Sequence, residues 1–257
     1  MHFAFLGTSG AVPSLRRDNT SLIFVGGAES VLVDCGGSPI QKLLLAAVDP
    51  QSVTRVVITH LHVDHSYGLP SLIRGLALMG RTAALTINCR EEHAEPLREL
   101  LRVFRILDRP ELFPLRLEPV PALPRAAIGR TGPFTLSASP NAHGPMPNLA
   151  LRFDAAAAPS VVYSSDTEPC EAVVELAGSA DTLIHEATFS EGDPARHGVH
   201  STARQAGEIA ARARVRRLIL AHIDTAHHDA PAALADEARQ SFDGEVEIAE
   251  EFIPYPL

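Results

Sequence analysis

The sequence predicts an α/β protein, two mixed β-sheets packed as a sandwich and flanked by helices, and three observations carry that reading. Short runs rich in Val, Ile and Phe recur between turn signals, and several lead into segments patterned for helices. Hydrophobic residues make up 46% and charged residues 21% of the 257 residues, the balance of a folded globular chain. Each half of the chain runs strands first and interleaves helices later, which suits layers of helices laid on sheets.

In order, HFAFLGTS, TSLIFVG and SVLVDCG read as strands, followed by a helix over 38–47 and the strand VTRVVITH. A helix over 69–80, the strand ALTINC and a helix through EEHAEPLRELLRVFRIL come next. Arg98, Arg102 and Arg105 fall on one side of that helix, and a solvated face is the simplest account of them. Prolines 114, 119, 121, 124 and 133 break ladders and helices, so 114–133 reads as a connection between two pseudo-halves of one domain spanning 1–257. Beyond it lie the strands FTLSASP, NLALRFD and SVVYSSD and a helix over 169–177. TLIHEAT, a helix over 201–213 that Ser201 or Thr202 can cap, RLILAH, a helix over 230–241 and VEIAEEF complete the chain.

Histidine is the informative residue, because most of the 12 stand at strand ends or in the loops after them, where α/β folds build sites. Thr59-His60-Leu61-His62-Val63-Asp64-His65 packs three imidazoles and a carboxylate into a few residues straight after RVVIT. In an extended loop residues two apart point the same way, so His60 and His62 can converge on one cation. The turning chain then delivers Asp64 and His65 to a neighbouring one. Further ligands are available in similar settings: His143 after FTLSASP, Asp166 at the end of VVYSSD and His222 at the end of RLILAH. Asp166 suits a bridging role, since one carboxylate can hold two cations.

GTSGAVPS, VDCGGSPIQKLL, VVITHLHVDHSYGLPSLI, YSSDT, LIHEATF, HSTARQAGEIAA and LILAH follow one another as in the ribonuclease Z branch of the metallo-β-lactamase fold hydrolases, which the chain resembles nearly end to end. The resemblance implies an αββα sandwich and a dinuclear zinc phosphodiesterase, with Mn2+ or Fe2+ as alternative metals. It implies one zinc on His60, His62, His143 and Asp166 and another on Asp64, His65, Asp166 and His222. It gives His200 the role of general acid, with Glu186 as its orienting partner; Asp64 can take the proton of the attacking water. RNA or a smaller phosphodiester is the implied substrate, and a homodimer is frequent among such proteins. The same two-metal centre serves acyl transfer, so a hydrolase of carboxylic or sulfuric esters, lactones or lactams is the alternative reading.

The chain departs from the branch in three places. Only 23 positions separate His143 from Asp166, which leaves no room for the long flexible arm that grips transfer RNA. Ile223-Asp224-Thr225-Ala226 stands where the branch has Arg-Tyr, and 13–19 only approximates the branch's basic loop. Lys+Arg at 22 against Asp+Glu at 31 give a net charge of −9, with no global pull toward DNA or RNA backbones. Arg16, Arg17, Arg212, Arg214, Arg216 and Arg217 are the local basic residues available to phosphate, with exposed arginines the commoner reading.

Three scattered cysteines, Cys35, Cys89 and Cys170, make no disulfide framework and read as small buried hydrophobes; with no membrane span or leader pattern, a cytoplasmic protein is expected. Asp34 reads as a carboxylate steadying the histidine-rich loop and His185 as part of a strand end. Asp229 reads as a helix N-cap beside His227 and His228, while His2, His93 and His197 receive no role.

Overall fold

The computed structural model describes residues 1–156, 158–193 and 198–257, so His197 lies outside the described residues. Two seven-stranded sheets face each other. The first holds β1 (His2–Gly7), β2 (Ser21–Gly26), β3 (Glu29–Val33), β4 (Val53–Val57), β5 (Leu85–Arg90) and β6 (Leu115–Val120). The second holds β7 (Ala126–Thr131), β8 (Phe134–Pro140), β9 (Leu149–Ala155), β10 (Ala158–Tyr163), β11 (Thr182–Glu186), β12 (Arg217–Ala221) and β13 (Glu245–Ile248). The last strand, β14 (Pro254–Pro256), returns to the first sheet and pairs antiparallel with β1.

Each sheet is antiparallel on one side and parallel on the other. β1–β3 run antiparallel and β3–β6 parallel; β7–β10 run antiparallel and β10–β13 parallel. Parallel neighbours need crossovers, and the helices supply them. On the first sheet these are α1 (Pro39–Leu45), α2 (Val63–Ser66), α3 (Leu69–Leu78) and α4 (Ala94–Val103); on the second they are α5 (Glu171–Ala177), α6 (Ala203–Ala213) and α7 (Ala232–Ala238).

Both faces of each sheet are covered, which explains why the strands read as near-continuous apolar runs. Along β1, Phe3 and Phe5 point between the sheets while Ala4 and Leu6 point at the helices. The inner layer is aromatic: Phe24 of β2 stacks on Phe153 of β9 with centroids 3.7 Å apart, and Phe134 meets both edge-on. Burying each such ring contributes roughly 1.5–3 kcal/mol.

The segment expected to be a bare connection, 114–133, is different. It contains β6 and β7, and the changeover between sheets is confined to the few residues between Val120 and Ala126. Pro119 is tolerated because β6 is an edge strand, where a missing N–H breaks no internal ladder. The histidine-rich loop turns after His62 as expected, through the single helical turn α2, and the helix expected at 91–107 opens as a 3-10 turn over Glu91–His93. Asp229 does not cap the last helix, which begins at Ala232 after Pro231 without a side-chain cap. The N-terminus of α6 is capped as expected: Thr202 and Gln205 form a reciprocal capping box.

Candidate metal centre

The site lies where the parallel strands of both sheets release their loops. β4 leads into Thr59–His65, β10 into Asp166, β11 into Glu186 and Thr188, and β12 into His222. Two of these strand ends, and that of β3 beside them, turn through left-handed backbone: Ser165 and His222 have φ of 54° and 55°, and Asp34 after β3 has 59°. Such angles cost energy for residues with a Cβ, and they recur where a chain must reverse to present a side chain. Gly36 has a related role, since a Cβ there would lie 2.0 Å from the Asp64 carbonyl oxygen; only glycine lets the two loops pack.

Seven side chains expected to bind metal converge in two groups. His60 Nε2, His62 Nδ1 and His143 Nε2 face one another at 3.0 and 3.1 Å, with Asp166 Oδ2 3.7 Å from His60 and 3.9 Å from His143. On the other side Asp64 Oδ2 and Asp166 Oδ2 each stand 3.4 Å from His65 Nε2. His222 Nε2 is 3.1 Å from Asp166 and 3.9 Å from Asp64. Ligand atoms lie within 4.8 Å of one another in three sets, His60 with His62, His143 and Asp166, then Asp64 with His65 and His222, and Asp166 with His200 and His222, while Asp166 Oδ2 reaches His65 and His222 as well as His60 and His143.

The hydrogen-bond network assigns the tautomers of four imidazoles. His65 Nδ1 donates to Asp34 Oδ2 at 2.9 Å, and His143 Nδ1 donates to the Val199 carbonyl at 2.8 Å. Thr188 Oγ1 gives its hydrogen to Glu186 Oε2, so it accepts from His222 Nδ1 at 2.9 Å. Thr59 Oγ1 gives its hydrogen to Asp34, so it accepts from His60 Nδ1 at 3.1 Å. In all four rings Nδ1 is thus satisfied and Nε2 faces inward, where its lone pair is available to a cation in the neutral ring. His65 Nε2, His222 Nε2 and Asp166 Oδ1 are buried with no hydrogen-bond partner among the described residues, a costly arrangement that a coordinated cation resolves. A set of five imidazoles and two carboxylates suits Zn2+ and related divalent ions.

Burial, with the positive charge of neighbouring His65, holds the His60 imidazole well below its ordinary pKa. His65 is shifted the other way: burial opposes its charge, but Asp166 and Asp34 outweigh it and raise the ring well above the ordinary range. Asp166 is correspondingly held well below a usual carboxylate, because His222 and His65 outweigh its burial.

His200 sits beside this centre, its ring centroid 4.9 Å from His143 and 5.3 Å from His222. Its Nδ1 donates to Glu186 Oε1 at 2.8 Å. Glu186 is fully buried, and the Thr167 and Thr188 backbone N–H groups and the Thr188 hydroxyl complete its shell. Burial would lower the His200 pKa, but the Glu186 charge and hydrogen bond dominate and raise it to about 9. His200, Asp64, Asp166 and His222 line an open cavity of about 400 Å3.

The other titratable candidates lie apart. His227 bonds Asp193 at 2.7 Å, and buried His228 bonds the Ile223 carbonyl at 2.9 Å. His185 bonds the Glu186 carbonyl, and His93 the Pro147 carbonyl. Arg98 and Arg102 both pair with Glu95, Arg212 with Glu171, Arg216 with Asp181 and Arg217 with Glu247, as solvated faces do. Arg17 is turned inward to Thr8 Oγ1 and the Ala249 carbonyl. All three cysteines are free; Cys35 and Cys89 are buried, whereas Cys170 is only half-buried. Sequence reasoning passed over Thr59, Thr188 and the Val199 carbonyl, although each stands one or two residues from a histidine or glutamate it had singled out.

A family model described as a beta-lactamase superfamily domain matches residues 29–223. A ribonuclease Z of Methanothermobacter thermautotrophicus is 32% identical, the match covering 94% of this chain and 92% of the relative. Among solved structures, the metallo-beta-lactamase fold protein YhfI from Bacillus subtilis superposes with a TM-score of 0.82 at 24% identity, over 99% of this chain and 98% of that one. The short form of human tRNase Z superposes with a TM-score of 0.82 at 23% identity and full coverage of both chains; these two likenesses bear on the fold alone.

Proposed function

The chain belongs to the beta-lactamase superfamily and, within it, to the ribonuclease Z family, and from that premise we propose that this metal-dependent hydrolase is a dinuclear zinc phosphodiesterase acting on RNA or a smaller phosphodiester. The observation that supports it most is the convergence of two clusters of potential ligands with Asp166 within 4 Å of histidines in each, and the His200–Glu186 pair beside them at one cavity.

His60, His62, His143 and Asp166 would hold one cation, and Asp64, His65, Asp166 and His222 the other; Mn2+ or Fe2+ are the alternatives to zinc. The chemistry that such a pair supplies when bound is Lewis acidity toward phosphoryl oxygens and a water made nucleophilic near neutral pH. Asp64, at the cavity wall, accepts the proton of that water. His200 is tied at Nδ1 to Glu186, so the proton that it gives to the departing oxygen leaves from Nε2. Glu186 keeps the ring oriented and charged. An alkoxide leaving group requires such an acid, and acyl transfer from an activated ester does not; the ion pair of half-buried His200 with buried Glu186 favours the phosphodiester over an ester, lactone or lactam.

RNA is the substrate class that the relatives' name suggests. No helix among the described residues is long and apolar enough to cross a membrane, and the three free cysteines suit a reducing cytoplasm. Leu44, Leu45, Leu78 and Met79 are exposed at the C-terminal ends of α1 and α3, apolar side chains that a homodimer would cover; sedimentation of the purified protein tests it.

The decisive experiment assays metal-loaded protein on precursor transfer RNA, a cyclic nucleotide, an aryl phosphodiester, a lactone and a β-lactam. His200→Ala is expected to retain both metal equivalents and to lose about 10²-fold or more on phosphodiesters with poor leaving groups. Turnover confined to the lactone or lactam, or an unaltered His200→Ala, would overturn the reading.

A further inference from the structure

Beside His62 and His143 lies a second cavity of about 250 Å3, walled by Pro145, Met146, Pro147 and Val199. His62 also lines the cavity that holds Asp64, Asp166 and His200, so one imidazole forms a wall common to both spaces. The walls are held in place. Gly144 takes φ of +53°, and a Cβ there would lie 2.7 Å from Val199 Cγ1, so the turn after His143 and the segment before His200 are in tight contact. The Val199 carbonyl is the acceptor for His143 Nδ1, and buried His93 donates to the Pro147 carbonyl at 2.7 Å. The slot is thus braced from both halves of the chain.

Its chemistry differs from that of its neighbour. Apart from the two imidazoles, every lining side chain is apolar and none carries a charge. A phosphate gains nothing there and would lose hydration. The volume lies just under the roughly 300–1,000 Å3 of ordinary ligand pockets, which leaves room for one ring system and not for several nucleotides. Nucleobases and other π-faces stack on aromatic rings, and here two imidazoles set among apolar side chains are available to one.

Building on the phosphodiesterase reading, we propose that this slot receives one planar ring, a nucleobase or an aryl group, carried by the phosphate diester held at the metal centre, and that Met146 and Val199 set the preference for it. Three diesters that release the same p-nitrophenolate test this: thymidine 5′-(p-nitrophenyl) phosphate, bis(p-nitrophenyl) phosphate and methyl p-nitrophenyl phosphate. Met146→Gln keeps the length of the side chain and adds polarity. It is expected to lower kcat/KM about tenfold for the ring-bearing diesters and less than about twofold for the methyl ester, the size of effect an imperfect apolar pocket produces. Val199→Ala, which leaves the carbonyl in place, should act in the same direction.

A fall on the thymidine ester alone supports the slot with a nucleobase as its occupant; a fall on the bis-aryl ester alone supports it with an aryl group. Equal changes on all three diesters, or none, would overturn the subsite. A binding measurement separates this from failure of the activity itself. By calorimetry, phenyl phosphate should bind the metal-loaded protein about tenfold tighter than inorganic phosphate, and Met146→Gln should erase that advantage. Absence of turnover on every diester would sink the phosphodiesterase reading. Absence of the phenyl advantage in the wild-type protein would sink the slot whatever the turnover.

Discussion

The two halves of the centre are built by different means. His60, His62, Asp64 and His65 arrive on one loop, within six residues, after a single strand. His143, Asp166 and His222 are spread over most of the second half, and they meet because β8, β10 and β12 run in one direction and deliver their C-terminal ends to the same end of the second sheet. A loop can place neighbouring ligands by local geometry alone. Scattered ligands depend on the registers of a whole sheet, and the acceptors that fix their rings, the Val199 carbonyl for His143 and Thr188 for His222, come from distant segments, as Asp34 does for His65, whereas the Thr59 acceptor of His60 is its chain neighbour.

The comparison is broken most severely at the residue shared by both groups. Asp166→Ala should abolish binding of both metal equivalents and lower activity by about 10³ or more, since the metals supply several kcal/mol of transition-state stabilisation. Metal analysis after dialysis checks this; retention of one tight equivalent would mean that the halves load independently of Asp166.

Asp34→Asn acts on the loop-borne half alone. Asp34 is fully buried, accepts from His65 Nδ1 and holds Thr59, which in turn orients His60. A change of this kind beside a ligand typically costs 10–100-fold in metal affinity, so competition with a chelator should reveal weakened binding with the fold unchanged by circular dichroism. Affinity equal to wild type would show that the carboxylate has no part in steadying the ligands.

Glu186→Gln acts on the half with scattered ligands, and its effect is smaller and depends on pH. His200 serves as an acid in its protonated form, and its raised pKa keeps that form present up to about pH 9 in the wild type. Without the carboxylate, only the charge of Asp166 opposes burial, so the pKa falls and activity should be lost at lower pH as pH rises. Cations in the site lower both profiles by their own charge without reversing their order. An alkaline limb that stays in place would separate Glu186 from the proton transfer.

Much of this was legible in the sequence because it is local. HxHxDH after an apolar strand, strand-end placement of His143, Asp166 and His222, and the Thr202 cap of α6 all rest on spacing and residue type within a few positions. The misreadings have one source. β6 and β7 hide among prolines because nothing in 114–133 announces that β5 and β8 wait to pair with them; edge position, a tertiary property, makes Pro119 acceptable. Asp229 has the composition of a cap, and the chain starts its helix three residues later.

By itself the sequence determined which side chains could carry the chemistry and that two apolar-faced sheets would bury their strands on both sides, since these follow from periodicity and ligand type. Only the tertiary structure decided that Asp166 lies within 4 Å of histidines from both groups, which ring nitrogens face inward and that Val199 braces His143 while walling a slot. Those facts depend on contacts between residues tens to hundreds of positions apart, and no local pattern encodes a distance across the sandwich.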